Sequence, residues 1–299
     1  MKIFITGSNG LLGQKLIDNL QKNSPEVEIV AVSKGENRLT QLTGFTYHEV
    51  DISNKAAIQQ LIFDEDPDVI INSAAITNVD QCEEDKDMCW DVNVNAVDYI
   101  VAACSQIDAH FVQLSTDFVF DGESGPYSED AEPNPLSYYG ESKLASEKIT
   151  REAECSWAIV RTVLVYGVGE KLGRSNIVLW AIDALGKGQE MNVVDDQFRT
   201  PTLAEDLATG CLSIALNKHS GIYNISGQDY MSILELIRRL GSFYQLNTDQ
   251  IKVISSKTLN QAAKRPPVTG FVLDKAIADL SYDPHSFEEG LEIVKKQLE

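Results

Sequence analysis

The sequence predicts an α/β protein, a doubly wound parallel sheet followed by a smaller lobe. Short apolar runs recur through the first half, each followed by a stretch of helical period, as in a parallel sheet covered on both faces. The first run leads straight into a glycine-rich turn. With 299 residues, 43% of them hydrophobic, the chain is long enough to bury a core of that size.

The elements follow in order. Residues 3–6 are a strand candidate because Ile3, Phe4 and Ile5 form an unbroken apolar run that stops at Gly7. An apolar-periodic helix is expected at 11–22, then strands at 29–33 and 45–49 and a helix at 54–64. A strand at 69–72, a helix at 88–106 and a strand at 110–115 come next. The series ends with a helix at 139–154 and a strand at 157–161. After Tyr166 the regularity loosens: Gly167-Val168-Gly169 and Gly186-Lys187-Gly188 bracket a helix-like stretch containing Trp180, and a final helix is expected near 286–298. The reading is a dinucleotide-binding domain over 1–166, with its sheet completed by segments near 190–225. Residues 167–299 would mainly form the substrate-binding lobe.

Composition excludes several functions. The 25 Lys and Arg against 45 Asp and Glu give a formal charge of −20, which opposes binding to nucleic acid or an anionic membrane. The acidity is uneven, with a net charge of −17 over residues 1–165 and −3 over the remainder. The five cysteines (Cys82, Cys89, Cys104, Cys155, Cys211) show no paired metal-ligand spacing and read as buried thiols of a reducing compartment. The acidic run Glu83-Glu84-Asp85 with Asp87 reads as a solvated helix face, so no metal is expected. No apolar run approaches the roughly 20 residues of a membrane span, and no secretory signal precedes the first strand. A soluble, cytoplasmic protein is the expectation.

The turn after the first strand reads Gly7-Ser8-Asn9-Gly10-Leu11-Leu12-Gly13. Gly7 permits the tight turn, Gly10 lets the backbone approach a pyrophosphate, and Gly13 lets the helix pack closely on the strand. Phosphates would sit at the helix N-terminus, where free N–H groups and the dipole favour anions. A lone glycine pattern is weak, but its strand–loop–helix context is the one required, so a Rossmann-type fold binding a dinucleotide is expected. An acidic residue ending the second strand would hold a ribose 2′-hydroxyl, whereas a basic one suits a 2′-phosphate. The sequence has Val32-Ser33-Lys34 with Arg38 nearby, which favours NADP, while Glu36 keeps NAD open.

Tyr139-Gly140-Glu141-Ser142-Lys143 places a phenol and an ammonium at i and i+4, on one face of a helix. A nearby cation stabilises phenolate and lowers the phenol pKa, and such a tyrosine can exchange a proton with a carbonyl oxygen as hydride moves to or from carbon. Tyr-x-x-x-Lys is common on helices; here it has neighbours. Ser115-Thr116-Asp117 ends the fifth strand, at the carboxyl edge where open α/β sheets bind ligands. Thr116 could hydrogen-bond a substrate carbonyl beside Tyr139. The small residues of Asn72-Ser73-Ala74-Ala75 would let a cofactor pass close to the backbone, and Asn93 could support a network near Lys143.

These residues resemble the extended short-chain dehydrogenase/reductases in order and spacing. Within them, Thr77-Asn78-Val79-Asp80-x-x-Glu83, Ser115-Thr116-Asp117-Phe118-Val119-Phe120-Asp121-Gly122 and Asn134-Pro135-Leu136-Ser137-Tyr138-Tyr139-Gly140 resemble the dTDP-4-dehydrorhamnose reductases, as do Asp196-Gln197-x-x-Thr200-Pro201-Thr202 and Arg265-Pro266. The resemblance spans essentially the whole chain. It implies that Tyr139 is the acid/base and Lys143 its modulator, with Thr116 polarising a 4-keto group and Asp117 close to the sugar. It also implies Asp51 and Ile52 against the adenine, and Ala74, Ala75 and Thr77 along the cofactor. The second lobe would hold a nucleotide-sugar, with Arg199 and Arg265 either on its diphosphate or in the packing around it. Such relatives are monomers or homodimers.

One departure stands out. The family usually reads Arg-Thr-Ser-Trp-x-Tyr-Gly after the sixth strand, whereas this chain has Arg161-Thr162-Val163-Leu164-Val165-Tyr166-Gly167, so Leu164 occupies the place of a tryptophan that packs on the deoxysugar. Two alternatives accompany the reductase reading, a nucleotide-sugar 4-epimerase and a non-catalytic regulatory subunit like that of methionine adenosyltransferase. Dehydration is disfavoured, because Asp117 is followed by Phe118 and not by a second carboxylate.

Overall fold

Seven strands form one parallel sheet in the computed structural model, which describes residues 1–41, 43–259 and 261–299. In chain order the first part runs β1 (Lys2–Thr6), α1 (Leu11–Asn23), β2 (Glu28–Ser33), β3 (Thr46–Glu49), α2 (Lys55–Glu65), β4 (Val69–Asn72), α3 (Val79–Glu84), α4 (Lys86–Trp90), α5 (Ala96–Ile107), β5 (His110–Thr116), α6 (Tyr138–Arg151) and β6 (Trp157–Thr162). Across the sheet the order is Gly221–Asn224, β6, β5, β4, β1, β2, β3. The chain winds outward from β1 through β2 and β3, then returns to β4 on the other side of β1. That reversal opens a crevice between the carboxyl ends of β1 and β4, where Thr6 lies beside Asn72.

The alternation of β1 explains the two covering layers. Ile3 and Ile5 point to the side packed by Leu16, Ile17 and Leu20 of α1, and Phe4 points to the side packed by Ile58 and Ile62 of α2 and Ile100 of α5. Both faces of the sheet are therefore buried, as its near-continuous apolar strands require.

Beyond β6 come α7 (Ile177–Gly186), α8 (Ala204–Asn217), α9 (Ile233–Tyr244), α10 (Asp274–Leu280) and α11 (Phe287–Leu298). Helix α8 leaves the lobe and packs on α1, and Gly221–Asn224 joins the sheet beside β6. The lobe has its own apolar centre, including Val178, Ala181, Ile237, Leu240, Leu291 and Val294. Its strands are short pairs: Met191–Val194 with Ile251–Ile254, Phe198–Arg199 with Met231–Ser232, and Thr202–Leu203 with Val165–Tyr166. Strands two to four residues long carry too little alternation to be read from sequence.

The single helix expected at 88–106 is three pieces: α4, a π-helical turn over Asp91–Asn95, and α5. All five cysteines are free and buried. Among the described residues, no helix is long and apolar enough to cross a membrane.

Candidate cofactor and substrate site

The glycine loop closes the β1 side of the crevice. Gly7 has φ +69°, and a Cβ there would lie 2.7 Å from the backbone nitrogen of Ala74. Gly13 presses its Cα face onto the loop, where a Cβ would strike the Gly7 carbonyl and lie 2.6 Å from Ser8 Cα. Helix α1 starts at Gly10 with no side-chain cap, which leaves its first N–H groups free for an anion. Among the described residues, the buried Ser8 hydroxyl beside them has no partner. A cradle that a Cβ would fill, uncapped N–H groups and an orphaned hydroxyl together fit a dinucleotide pyrophosphate.

Asn9 ties this loop to the end of β2. Its N–H donates to Ser33 Oγ at 3.2 Å, its side-chain amide donates to the Glu36 carbonyl at 2.9 Å, and its Oδ1 accepts from the Arg38 N–H at 2.9 Å. The Lys34 ammonium reaches across to Asp51 at 2.8 Å while remaining largely exposed. Asp51 also accepts from Ser53 Oγ at 2.7 Å, and Ile52 is buried next to it. On the β4 side, Asn72 is spent internally, accepting from Thr6 and donating to Gln113 Oε1 at 2.8 Å. Ala74, Ala75 and Thr77 follow it out of the sheet.

Helix α6 is capped by Ser137, whose hydroxyl accepts from the Gly140 N–H. It carries Tyr139, Lys143 and Glu147 at intervals of four, so all three share one buried face. Lys143 Nζ donates to the Leu114 carbonyl at 2.6 Å. Glu147 accepts from Ser115 Oγ at 2.7 Å and is gripped in two places by Arg161, at 2.9 and 2.7 Å. Arg161, fully buried, also donates to the Glu129 carbonyl at 3.2 Å and stacks 5.1 Å from the centre of the Phe120 ring. The π-helical turn delivers Asn93 into this region. It accepts from the Ile76 N–H at 2.8 Å and donates to the Ile76 carbonyl and to Ser142 Oγ, both at 3.1 Å. Asn93 thus joins the β4 loop to α6.

Burial pushes the Tyr139 phenol above its usual range, although the Thr116 hydroxyl pulls it down. The Lys143 ammonium is turned onto the Leu114 carbonyl in this arrangement. Burial likewise pushes Lys143 down to about 8, opposed by the Glu147 carboxylate and by Cys89. At Glu147 burial acts upward, but the Arg161 pair, Ser115 and Arg151 outweigh it and hold the carboxyl below its usual range.

Beside the Tyr139 face, a cavity of about 220 Å³ opens toward the lobe, lined in part by Phe118, Leu164, Trp180, Gln197, Arg199 and Arg265. Leu164 adopts a left-handed φ of +41°, an uncommon state for a non-glycine residue and one that marks a constrained turn. Asp117, buried at the end of β5, accepts from Thr116 Oγ1 at 3.1 Å and from Thr269, with Arg199 Nε 3.7 Å away. Arg199 is itself spent on the carbonyls of Phe198, Pro266 and Pro267, at 2.7, 2.8 and 3.1 Å. Arg265 pairs with Asp80 at 2.7 Å. A larger groove on α9, lined by Arg238, Arg239 and Glu288 among others, includes none of the expected site residues.

The structure therefore sets Leu164, Arg199 and Arg265 in the cavity wall, with Tyr139 behind Phe118 and Asp117, bonded to Thr116, behind Arg199, and it sets the glycine loop, Ser33, Lys34, Arg38 and Asp51 around the crevice. Glu147 and Thr269 are among the site residues that the sequence did not single out. Glu147 repeats the i, i+4 spacing of Tyr139 and Lys143, a signal that was available. Thr269 reaches Asp117 across 152 positions and left none.

Comparison with known proteins agrees with this geometry. The family model described as the RmlD substrate binding domain matches residues 1–299. The chain is 29% identical over 291 residues to the spore coat polysaccharide biosynthesis protein SpsK of Bacillus subtilis, covering 97% of this chain and 95% of that one. It is 30% identical over 270 residues to methionine adenosyltransferase 2 subunit beta of Xenopus laevis, covering 89% and 78%. Among solved structures, a dTDP-4-dehydrorhamnose reductase from Clostridium acetobutylicum superposes with a TM-score of 0.86 at 30% identity, covering 100% of this chain and 99% of that one. The corresponding reductase from Bacillus anthracis, in complex with NADP, gives 0.87 at 29%, covering 99% of each. A UDP-glucuronic acid 4-epimerase from Bacillus cereus, in complex with UDP-glucuronic acid and NAD, gives 0.86 at 26%, covering 100% of each. With one parallel Rossmann-type sheet, an uncapped glycine loop and the whole length matched, this chain belongs to the RmlD substrate-binding-domain family.

Proposed function

We propose that the protein is an NAD(P)H-dependent reductase of a 4-keto-6-deoxysugar nucleotide, of the type that converts dTDP-4-dehydrorhamnose to dTDP-rhamnose. The observation that carries the reading is the buried Tyr139 phenol beside Thr116, packed edge-on against Phe118 of the cavity wall. Residues 1–166 would bind the cofactor and 167–299 chiefly the nucleotide-sugar.

Gly7, Asn9, Gly10, Leu11, Leu12 and Gly13 would hold the pyrophosphate. Ser33, Lys34 and Arg38 would face a 2′-phosphate, which favours NADPH over NADH. Asp51 and Ile52 would border the adenine, and Ala74, Ala75 and Thr77 the path toward the nicotinamide. When bound, a reduced nicotinamide supplies the hydride that reaches the sugar C4. Tyr139, held protonated at neutral pH by its burial, donates its proton to the keto oxygen as that oxygen gains charge. Thr116, whose hydroxyl donates to Asp117 in the structure, would turn that proton to the same oxygen. Lys143 compensates the tyrosinate left behind, and Asn93 fixes the backbone that borders it. Leu164 offers an aliphatic wall to the sugar. The purified protein should oxidise NADPH only when the keto-sugar nucleotide is added. Absence of that dependence would sink the reading.

One observation favours a second reading. The 30% identity to methionine adenosyltransferase 2 subunit beta raises a role as a partner-binding subunit. Co-purification with a synthetase and no keto-sugar reduction would support it, whereas tightly retained NAD would point to epimerisation.

A further inference from the structure

The chain between Val165–Tyr166 and α7 forms a strap that leaves the lobe and reaches the glycine loop. Gln14 of α1, only 4% exposed, meets it there. Its side-chain amide donates to the Glu170 carbonyl at 2.9 Å and accepts from the Glu170 N–H at 2.7 Å. The same amide donates at 3.1 Å to the carbonyl of Asn9, inside the glycine loop. One buried side chain thus joins backbone groups of the loop and of the strap, using its nitrogen and its oxygen together. The Thr40 N–H adds a bond to the Glu170 carboxylate at 2.8 Å.

At its far end the strap is tied to its own origin and continues into the cavity wall. Asn176 caps α7 by accepting from the Leu179 N–H at 3.2 Å, and its amide donates to the Gly167 carbonyl at 2.7 Å. The next residue, Ile177, lines the cavity of about 220 Å³, as does Trp180. Trp180 stays 44% exposed while Val178 and Ala181 are buried in the lobe, so α7 turns one face to the core and another to the cavity. Gly167, at φ +151°, gives the strap a hinge that other residues rarely adopt.

We infer that Gln14 is a positioning residue that couples occupancy of the glycine loop to the substrate cavity. A dinucleotide that orders the loop fixes Asn9 and Gln14, lowers the cost of clasping the strap and so settles the α7 wall of the cavity. A ligand filling the cavity favours the same clasped arrangement. Each ligand then tightens the other by one common factor. The inference rests on the proposed function for the identity of the two ligands.

Calorimetric titration of the whole protein measures that factor. In each protein dTDP is titrated with and without saturating NADP⁺, and NADP⁺ with and without saturating dTDP. In wild type NADP⁺ should tighten dTDP by about fivefold or more, and dTDP should tighten NADP⁺ by the same factor. Gln14→Leu removes the bonds to Asn9 and Glu170 and should bring both factors within about twofold of unity, even where the separate affinities also fall. A buried substitution can cost stability, so Gly169→Ala repeats the test from the strap. A Cβ there would lie 2.9 Å from Gln14 Oε1, which forces strap and amide apart without altering α1, and the coupling should be lost again. Glu170→Ala deletes the Thr40 bond and leaves the amide clasp, so it should keep most of the coupling. Absence of coupling in wild type that binds both ligands overturns the inference, and so does coupling that survives in Gln14→Leu or Gly169→Ala. A loss in Glu170→Ala equal to that in Gln14→Leu would move the latch to the carboxylate and overturn the role of Gln14. Wild type that binds NADP⁺ but neither dTDP, UDP nor GDP overturns the nucleotide-sugar reading, and the inference with it.

Discussion

Tyr139, Lys143 and Glu147 share one helix face but hold different states. Tyr139 is kept neutral by burial, Lys143 is pushed down to about 8, and Glu147 is kept ionised by Arg161. In the proposed mechanism Tyr139 is the proton donor to the keto oxygen, so Tyr139→Phe should lower kcat by about 10²–10⁴ while NADPH affinity stays within about twofold. Turnover near wild type would remove Tyr139 from the mechanism. In the proposed mechanism Lys143 works as a cation, so kcat should fall as pH rises through about 8. Glu147 supports that charge. Its replacement by glutamine favours the neutral amine, and the alkaline limb should move to lower pH. A merely structural Glu147 would reduce stability without moving the limb.

The elements that place these residues were unevenly legible. Unbroken apolar strands, the glycine loop opening α1 and the i, i+4 pair on α6 each follow from local periodicity, and the structure contains all of them. The π-helical turn over Asp91–Asn95 did not announce itself, because one extra residue per turn leaves the apolar spacing of its neighbours intact. The packing partners of Arg199 left no local signal, because the carbonyls of Pro266 and Pro267 lie 67 and 68 positions away. The glycine loop is where an element-scale test is sharpest. Gly13→Ala puts a methyl group against the Gly7 carbonyl and Ser8 Cα, so α1 must back away from the loop. Overpacking of this kind costs about 1–3 kcal/mol. NADPH binding should weaken more than stability alone accounts for, measured as Kd at a temperature where the variant remains folded. An unchanged Kd would show that the close approach serves packing only.

At the scale of the whole molecule, the cavity lies where the sheet meets the lobe, and buried polar contacts hold the two together. Asp117 at the end of β5 receives Thr269, and Arg199 sits beside it while binding the carbonyls of Pro266 and Pro267. Burial pushes the Asp117 carboxyl up, with Arg199, Thr269 and Thr116 opposing. A carboxyl with a raised folded pKa favours the folded state below its unfolded pKa and disfavours it once pH rises through the folded one, so an ionised Asp117 depends on Arg199 for compensation. Arg199→Met removes that compensation and orphans the carbonyls, and breaking a buried pair from one side costs about 3–5 kcal/mol. For a chain of 299 residues that is a drop of about 5–8 °C in melting temperature. Asp117→Asn keeps most of the hydrogen bonding and sheds the charge, so alone it should cost less. The double variant should be more stable than the sum of the single losses predicts, by about 1–3 kcal/mol of coupling. Strict additivity, measured by thermal melts of all four proteins, would show that the arginine holds the lobe through its carbonyl contacts alone.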